Sequence, residues 1–201
     1  MSNPQDKEKK KARRSAVELL DAGLNLLAEH SIQQLTIDAL CNTLHVTKGS
    51  FYHHFKGRSD YLERMLEHWV ENWTVENMRL ANTAGNAVAR FDAIVESSNN
   101  LPHGPETSIR AWAQRDAMAL RFLERVDAMR MDYLFNIFLE VSGDAKRARL
   151  LSRIGYSLFV GTRMVAPAIA GDERDALINL VKNELYHLPA TAPENGGNHE
   201  T

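Results

Sequence analysis

From Ala16 to Leu188 the apolar residues recur at three- and four-residue intervals, and no stretch of comparable length alternates apolar with polar. A period near 3.6 puts such residues on one face of an α-helix, so the expected fold is all-α. Six prolines and eleven glycines in 201 residues leave room for long uninterrupted helices. A first helix is expected from Pro4 to about His30, with Ala16, Leu20, Gly23, Leu24 and Leu27 along one side. Thr36 and Thr47 each precede a short helix, Ile37 to Thr43 and Lys48 to His54, where a hydroxyl can accept from an early backbone N–H. A long fourth helix follows Gly57-Arg58-Ser59 and carries Leu62, Met65, Leu66, Trp69 and Trp73 as one stripe. The remaining periodic segments are Ala87–Ser97, Glu106–Gln114, Asp116–Val141, about Asp144–Ala170, and Glu173–Leu188. In the third of these Phe122, Val126, Met129, Tyr133 and Ile137 stay in register. The breaks fall at Asn82–Asn86, Ser97–Pro105, Gly143 and Gly171, giving about nine helices.

A first helix, two short ones after tight breaks, and then a long fourth divide the chain. We expect a three-helix domain over residues 1–57, a larger helical domain over 58–188, and a polar tail over 189–201 whose Gly/Pro-rich composition predicts disorder. No apolar run approaches the roughly 20 residues of a membrane span, so no membrane partner is expected. The N-terminus MSNPQDKEKKKARR lacks the apolar core of an export signal, and the single cysteine, Cys41, cannot form an internal disulfide. Both features predict a cytoplasmic protein. No phosphate-cradling glycine loop, dinucleotide fingerprint, nucleophile elbow or metal motif is present, so neither an enzyme nor a cofactor is expected.

The net charge of −2 conceals an asymmetry. Residues 1–60 carry nine Lys or Arg against seven Asp or Glu, while the remainder carries fifteen against nineteen. A basic head on an acidic body suits a chain whose first part meets nucleic acid. Within that head, Thr36 to Lys56 (TIDALCNTLHVTKGSFYHHFK) reads as two short helices around a tight turn, the geometry that presents a second helix to the DNA major groove. Ile37, Leu40, Leu44, Val46, Phe51 and Phe55 form its apolar side. Lys48, Gly49, Ser50, Tyr52 and His53 are left facing outward. These are small or hydrogen-bonding groups able to reach base edges and phosphates.

This segment resembles the N-terminal domain of the TetR family of transcriptional regulators. Thr36, then Val46-Thr47-Lys48-Gly49-Ser50, then Phe51-Tyr52-His53-His54-Phe55 and Lys56 stand in the family's order and spacing. Arg110-Ala111-Trp112-Ala113 and Asp127 to Arg130 are similar to patterns in its ligand domain. The resemblance implies that Thr36, Tyr52, His53 and Lys56 contact phosphates, with Thr47, Lys48, Gly49 and Ser50 nearest the bases. One departure is that Leu44-His45 stands where the family usually has Ala-Gly. The turn then requires histidine at positive φ, which glycine tolerates more freely.

Other features carry two readings. Lys7 to Arg14 is either an arm for the minor groove or the solvated start of the first helix. His45, His53 and His54 do not suggest a metal site, since adjacent helical side chains point about 100° apart. Cys41 reads as a core residue, with redox sensing as the lesser alternative.

In the body, Trp69, Trp73, Trp112, Met118, Phe122, Met129 and Tyr133 are candidate pocket residues. The set is rich in large adaptable groups that accept hydrophobic ligands, although each alone reads as core. Met78, Met131 and Phe135 belong to the same class. Leu151, Ile154, Leu158, Gly161 and Val165 form an a/d-like seam. Leu177, Leu180, Val181 and Leu188 give the last helix an apolar face. The resemblance implies that the last two long helices form a homodimer interface, and that a small-molecule effector releases double-stranded operator DNA. The alternative is an effector-independent DNA-binding protein of the same fold, acting in chromosome organisation or through a protein partner.

Overall fold

The computed structural model describes the backbone of residues 4–186 and the side chains of residues 16–184. The side chains of Lys7 to Arg14 and the tail over 189–201 lie outside the described residues. The helices are α1 (Pro4–Glu29), α2 (Ile37–Leu44), α3 (Lys48–His54), α4 (Arg58–Val70), α5 (Glu76–Ala81), α6 (Ala87–Asn100), α7 (Gly104–Ala113), α8 (Ala117–Ser142), α9 (Ala145–Met164) and α10 (Gly171–Tyr186). A π-helical turn, Glu71–Val75, joins α4 to α5. Taken as one path, Arg58 to Ala81 makes nine helices among the described residues, and none of these residues forms a strand. No described helix is long and apolar enough to cross a membrane.

Two boundaries differ from the sequence expectation. Ser97-Ser98-Asn99-Asn100 is helical rather than loop, and only residues 101–103 connect α6 to α7. Pro105 occupies the first turn of α7, where its missing N–H costs nothing. The proline therefore begins a helix instead of marking a loop. Conversely, α9 ends at Met164 and not near Ala170. Pro167 ends it, because proline lacks a donor and pushes the residue before it away from helical dihedrals.

The described chain forms two compact units. The first comprises the chain up to Arg79 together with Glu96–Ala128, and the second comprises Leu80–Val95 and the chain from Met129 onward. In the first unit Leu19, Leu24, Leu27, Leu35, Leu40, Phe51, Phe55, Tyr61, Met65, Leu66 and Trp69 are almost fully buried. Gly104 brings α7 against α1, since a Cβ there would lie 2.8 Å from that of Ala28. Tyr61 donates its hydroxyl proton to the Leu19 carbonyl at 2.7 Å. Burial holds that phenol far above the usual tyrosine range. In the second unit Ala87, Phe91, Ile137, Phe138, Ala148, Leu151 and Val181 form the core. Gly155 of α9 faces Val181 of α10, and a Cβ there would stand an ordinary 3.5 Å from the valine.

Asp116 starts α8 by accepting from the backbone N–H of Met118 at 2.9 Å and of Ala119 at 3.0 Å. These bonds, chiefly that from Ala119, with a further one from the Trp112 indole, hold its carboxyl below the ordinary aspartate value. Asp116→Ala is expected to lose about 1 kcal/mol at neutral pH. A carboxyl depressed in the folded state stabilises above its unfolded pKa and ceases to do so as pH falls through its folded one. The urea midpoints of variant and parent should therefore differ at neutral pH and converge in acid. A gap that persists at the lowest pH would show that the charge is not involved.

Candidate nucleic-acid interface

The helix pair α2–α3 is built by local capping. Thr36 Oγ1 accepts from Ala39 N–H at 3.1 Å and Thr47 Oγ1 accepts from Ser50 N–H at 3.2 Å. Each hydroxyl uses its oxygen inward and keeps its proton to donate outward, so capping and phosphate contact are compatible. Between the helices His45 adopts the left-handed conformation, φ 53° and ψ 41°, and Val46 N–H bonds back to the Cys41 carbonyl at 2.9 Å. The turn thus keeps the geometry that glycine favours, with histidine in place at a cost of about 1–2 kcal/mol.

Phe51 and Phe55 point into an aromatic cluster with Tyr61, their centroids 5.0 to 5.4 Å apart. On the other side of α3 lie Lys48, Gly49, Tyr52 and His53, all exposed, with Ser50 half-buried. A Cβ at Gly49 would meet only Thr47 Oγ1, at an ordinary 3.6 Å. The fold itself does not require glycine there. Lys56 is exposed, and its backbone N–H donates to Asp60 at 2.9 Å. Thr36, Thr47, Lys48, Gly49, Ser50, Tyr52, His53 and Lys56 thus all belong to this helix pair and its edges. Of the two histidines, His54 is half-buried. That burial, followed by the charges of His53 and Arg64, holds it below its ordinary pKa. Cys41 is buried under the same pair, and burial, then Asp38, pushes its thiol up, away from the reactive thiolate. Among the described residues no three His, Cys, Asp or Glu side chains are grouped to hold a metal ion.

Two arginines that the sequence reading passed over brace the pair. Arg58 donates to the Leu35 carbonyl at 3.0 Å and the Ile32 carbonyl at 2.7 Å, fastening the α1–α2 connection to the start of α4. Arg64 donates to the His54 carbonyl at 2.6 Å and lies over the Phe55 ring at 4.7 Å. It thereby satisfies a C-terminal carbonyl of α3 with a cation. All three bonds depend on how α4 approaches, which local spacing does not reveal.

The residues singled out in the body separate by unit. Trp69, Trp73, Trp112, Met118 and Phe122 belong to the first, and Met129 and Tyr133 to the second. Trp69, Trp112 and Phe122 are buried, whereas Trp73 and Met118 are half-buried. Tyr133 donates to Asn82 at 2.9 Å within its own unit. Arg110 and Asp127, from the two segments resembling ligand-domain patterns, meet in a bidentate pair at 2.7 and 3.1 Å. Of the proposed seam, Leu151 and Val181 lie in the core of the second unit, and Leu158 packs against that core. Leu177 and Gly161 are half-buried, while Ile154, Val165 and Leu180 are exposed.

Residues 19–65 match the model of the bacterial regulatory proteins of the tetR family. The fold is similar to a crystal structure from Pseudomonas aeruginosa PAO1 described as a candidate transcriptional regulator. The TM-score is 0.63 at 16% identity, over 84% of this chain and 86% of that one. At such identity the likeness is one of fold. No curated protein matches the chain. With its capped helix pair inside the matched segment, the chain carries an N-terminal helix-turn-helix of the kind that defines the bacterial regulatory proteins of the tetR family.

Proposed function

We propose that the protein is a homodimeric repressor that binds a pseudo-palindromic operator and is released by a small hydrophobic ligand. The observation that carries this reading is the outer side of α3, where Lys48, Gly49, Tyr52 and His53 are exposed on a helix fixed from behind by Phe51 and Phe55. Thr47, Lys48, Gly49 and Ser50 read bases, while Thr36, Tyr52, His53 and Lys56 hold phosphates. One such helix reads too few base pairs for useful specificity, so two heads on a two-fold axis are the expected solution.

The second unit supports a dimer through α9 and α10. Leu150 is 60% exposed, Ile154 42% and Leu180 65%, with Met164 and Val165 exposed further along. A Cβ at Gly161 would meet nothing within 4 Å. Residues 145–164 carry five basic and no acidic residues, whereas 171–186 carry four acidic and two basic. A two-fold pairing can set the basic helix of one copy beside the acidic helix of the other. Ile154→Asp with Leu180→Asp is expected to yield a monomer by sedimentation, with helicity retained, because both side chains already face outward. Leu158→Asp is a poorer test, since its side chain packs against the core.

The ligand would act through the path from Arg58 to Ala81, which begins just after the recognition helix and carries Trp69 and Trp73. Its π-turn is a local alternative register of the kind often found at functional sites. Asn77 steadies that turn by donating to the Trp73 carbonyl at 3.1 Å. A hundredfold change in DNA affinity needs about 2.7 kcal/mol of coupling. The decisive experiment selects DNA from random duplexes with the full chain. An inverted repeat bound by two chains supports the reading, and enrichment without symmetry overturns the dimer on DNA. A compound screen scored by tryptophan quenching and by operator release tests the effector, and quenching that never releases DNA points to an effector-independent regulator.

A further inference from the structure

The helix pair that faces DNA contains one carboxylate. Between Glu29 and Asp60 the only acidic residue is Asp38. Its Oδ1 lies 2.7 Å from Nζ of Lys48, the first residue of α3. Both side chains are more than half exposed, so no buried charge needs a partner here. An exposed pair of this kind adds little to stability. Nor is Asp38 the cap of α2, because Thr36 already fills that role. A carboxylate beside a polyanion weakens binding to every DNA sequence. As an exposed partner and a first-turn acid of α2, Asp38 contributes only modestly to the fold, and indiscriminate binding loses.

We propose that Asp38 is a specificity-determining residue of the DNA interface, holding the Lys48 ammonium for a guanine edge and withholding it from phosphates. The inference rests on the assignment of Lys48 to base reading made above. An ammonium has three N–H donors. With one directed at Asp38, two remain, and they match the O6 and N7 acceptors that guanine presents in the major groove. A lysine already held in place has less rotamer freedom to lose on binding. On random DNA the same ammonium is half-neutralised by its partner, and the carboxylate repels the backbone. Asp38 thereby widens the gap between operator and random sequence from both sides.

The test uses the full chain, a duplex enriched by it from random sequence, and an unselected duplex, each titrated across a salt series. Asp38→Asn is expected to tighten binding to the unselected duplex severalfold. It should steepen the slope of log K against log salt by about 0.9, because Lys48 becomes free for a phosphate. The ratio of selected to unselected affinity should fall about tenfold, the value of one good base contact. Asp38→Glu, which keeps the charge, should stay near the parent, and Asp38→Ser repeats the test should the asparagine variant fail to fold. In a Lys48→Ala background, Asp38→Asn should change the slope by much less than about 0.9, because only the direct repulsion by the carboxylate is left to remove. An unchanged ratio, or a slope change that persists undiminished without Lys48, overturns the proposal. Lys48→Ala alone separates the two readings. If it weakens the selected duplex more, Lys48 remains a base reader and a silent Asp38→Asn overturns this inference only. Equal losses on both duplexes overturn the base-reading assignment and this inference together.

Discussion

Arg110→Met is expected to destabilise the protein by about 3 kcal/mol, a fall in Tm of about 6–12 °C for a chain of this size. Arg110 lies between Glu106 and Asp127, bonded to the first at 2.9 Å and to the second at 2.7 Å. The arginine and the glutamate side chains are each 11% exposed. Removing the cation leaves two carboxylates close together, that of Glu106 with little water to solvate it, so the loss exceeds that of a surface pair. Neutralising the carboxylates as well, with Glu106→Gln and Asp127→Asn, should recover most of the loss. Recovery would identify stranded charge as the cause. If the triple variant melts as low as Arg110→Met, packing of the arginine stem is responsible and the ionic account fails.

That network shows where sequence reading stopped. Arg110-Ala111-Trp112-Ala113 and Asp127 to Arg130 stood out separately, and no spacing rule joins residues 17 apart on different helices. The recognition pair was legible because its signals are local. Thr36 and Thr47 bond three residues ahead, and Phe51 and Phe55 recur at a helical interval. Even the departure at Leu44-His45 could be read as a turn at positive φ, since the chain must reverse there whatever the residue. Illegible features depend on tertiary approach. Arg58 and Arg64 look like ordinary surface cations until α4 is placed, and Ser97 to Asn100 looks like loop until Pro105 is seen to begin α7. The stripe in α9 was legible as an apolar side but not which of its edges faces out. Leu151 turned inward and Leu150 outward, because packing against α10 decides the rotation of a helix apolar on more than one edge.

Gly23 also read as a small member of the α1 stripe, and the contact it makes gives the second large effect. A Cβ there would stand 1.9 Å from Tyr61 Oη, 2.7 Å from Met65 Sδ and 2.9 Å from Tyr61 Cζ. Alanine in mid-helix would ordinarily stabilise by about 1 kcal/mol. Here the overlap far exceeds what a shift of a few tenths of an ångström relieves. Tyr61 is fully buried and tied to Leu19, so it cannot swing aside. Gly23→Ala is therefore expected to destabilise by about 2 kcal/mol net, the overpacking penalty outweighing the propensity gain. It should also loosen the recognition pair, since Tyr61 packs on both Phe51 and Phe55. A double-mutant cycle isolates the cause. Tyr61→Phe alone should cost about 1 kcal/mol through the lost hydrogen bond. In the Gly23→Ala background the same change removes the atom at 1.9 Å and should be neutral or stabilising, a coupling of about 1 kcal/mol or more. If Gly23→Ala instead raises Tm, helix propensity outweighs packing, and the close approach of α1 to α4 is not what this glycine provides.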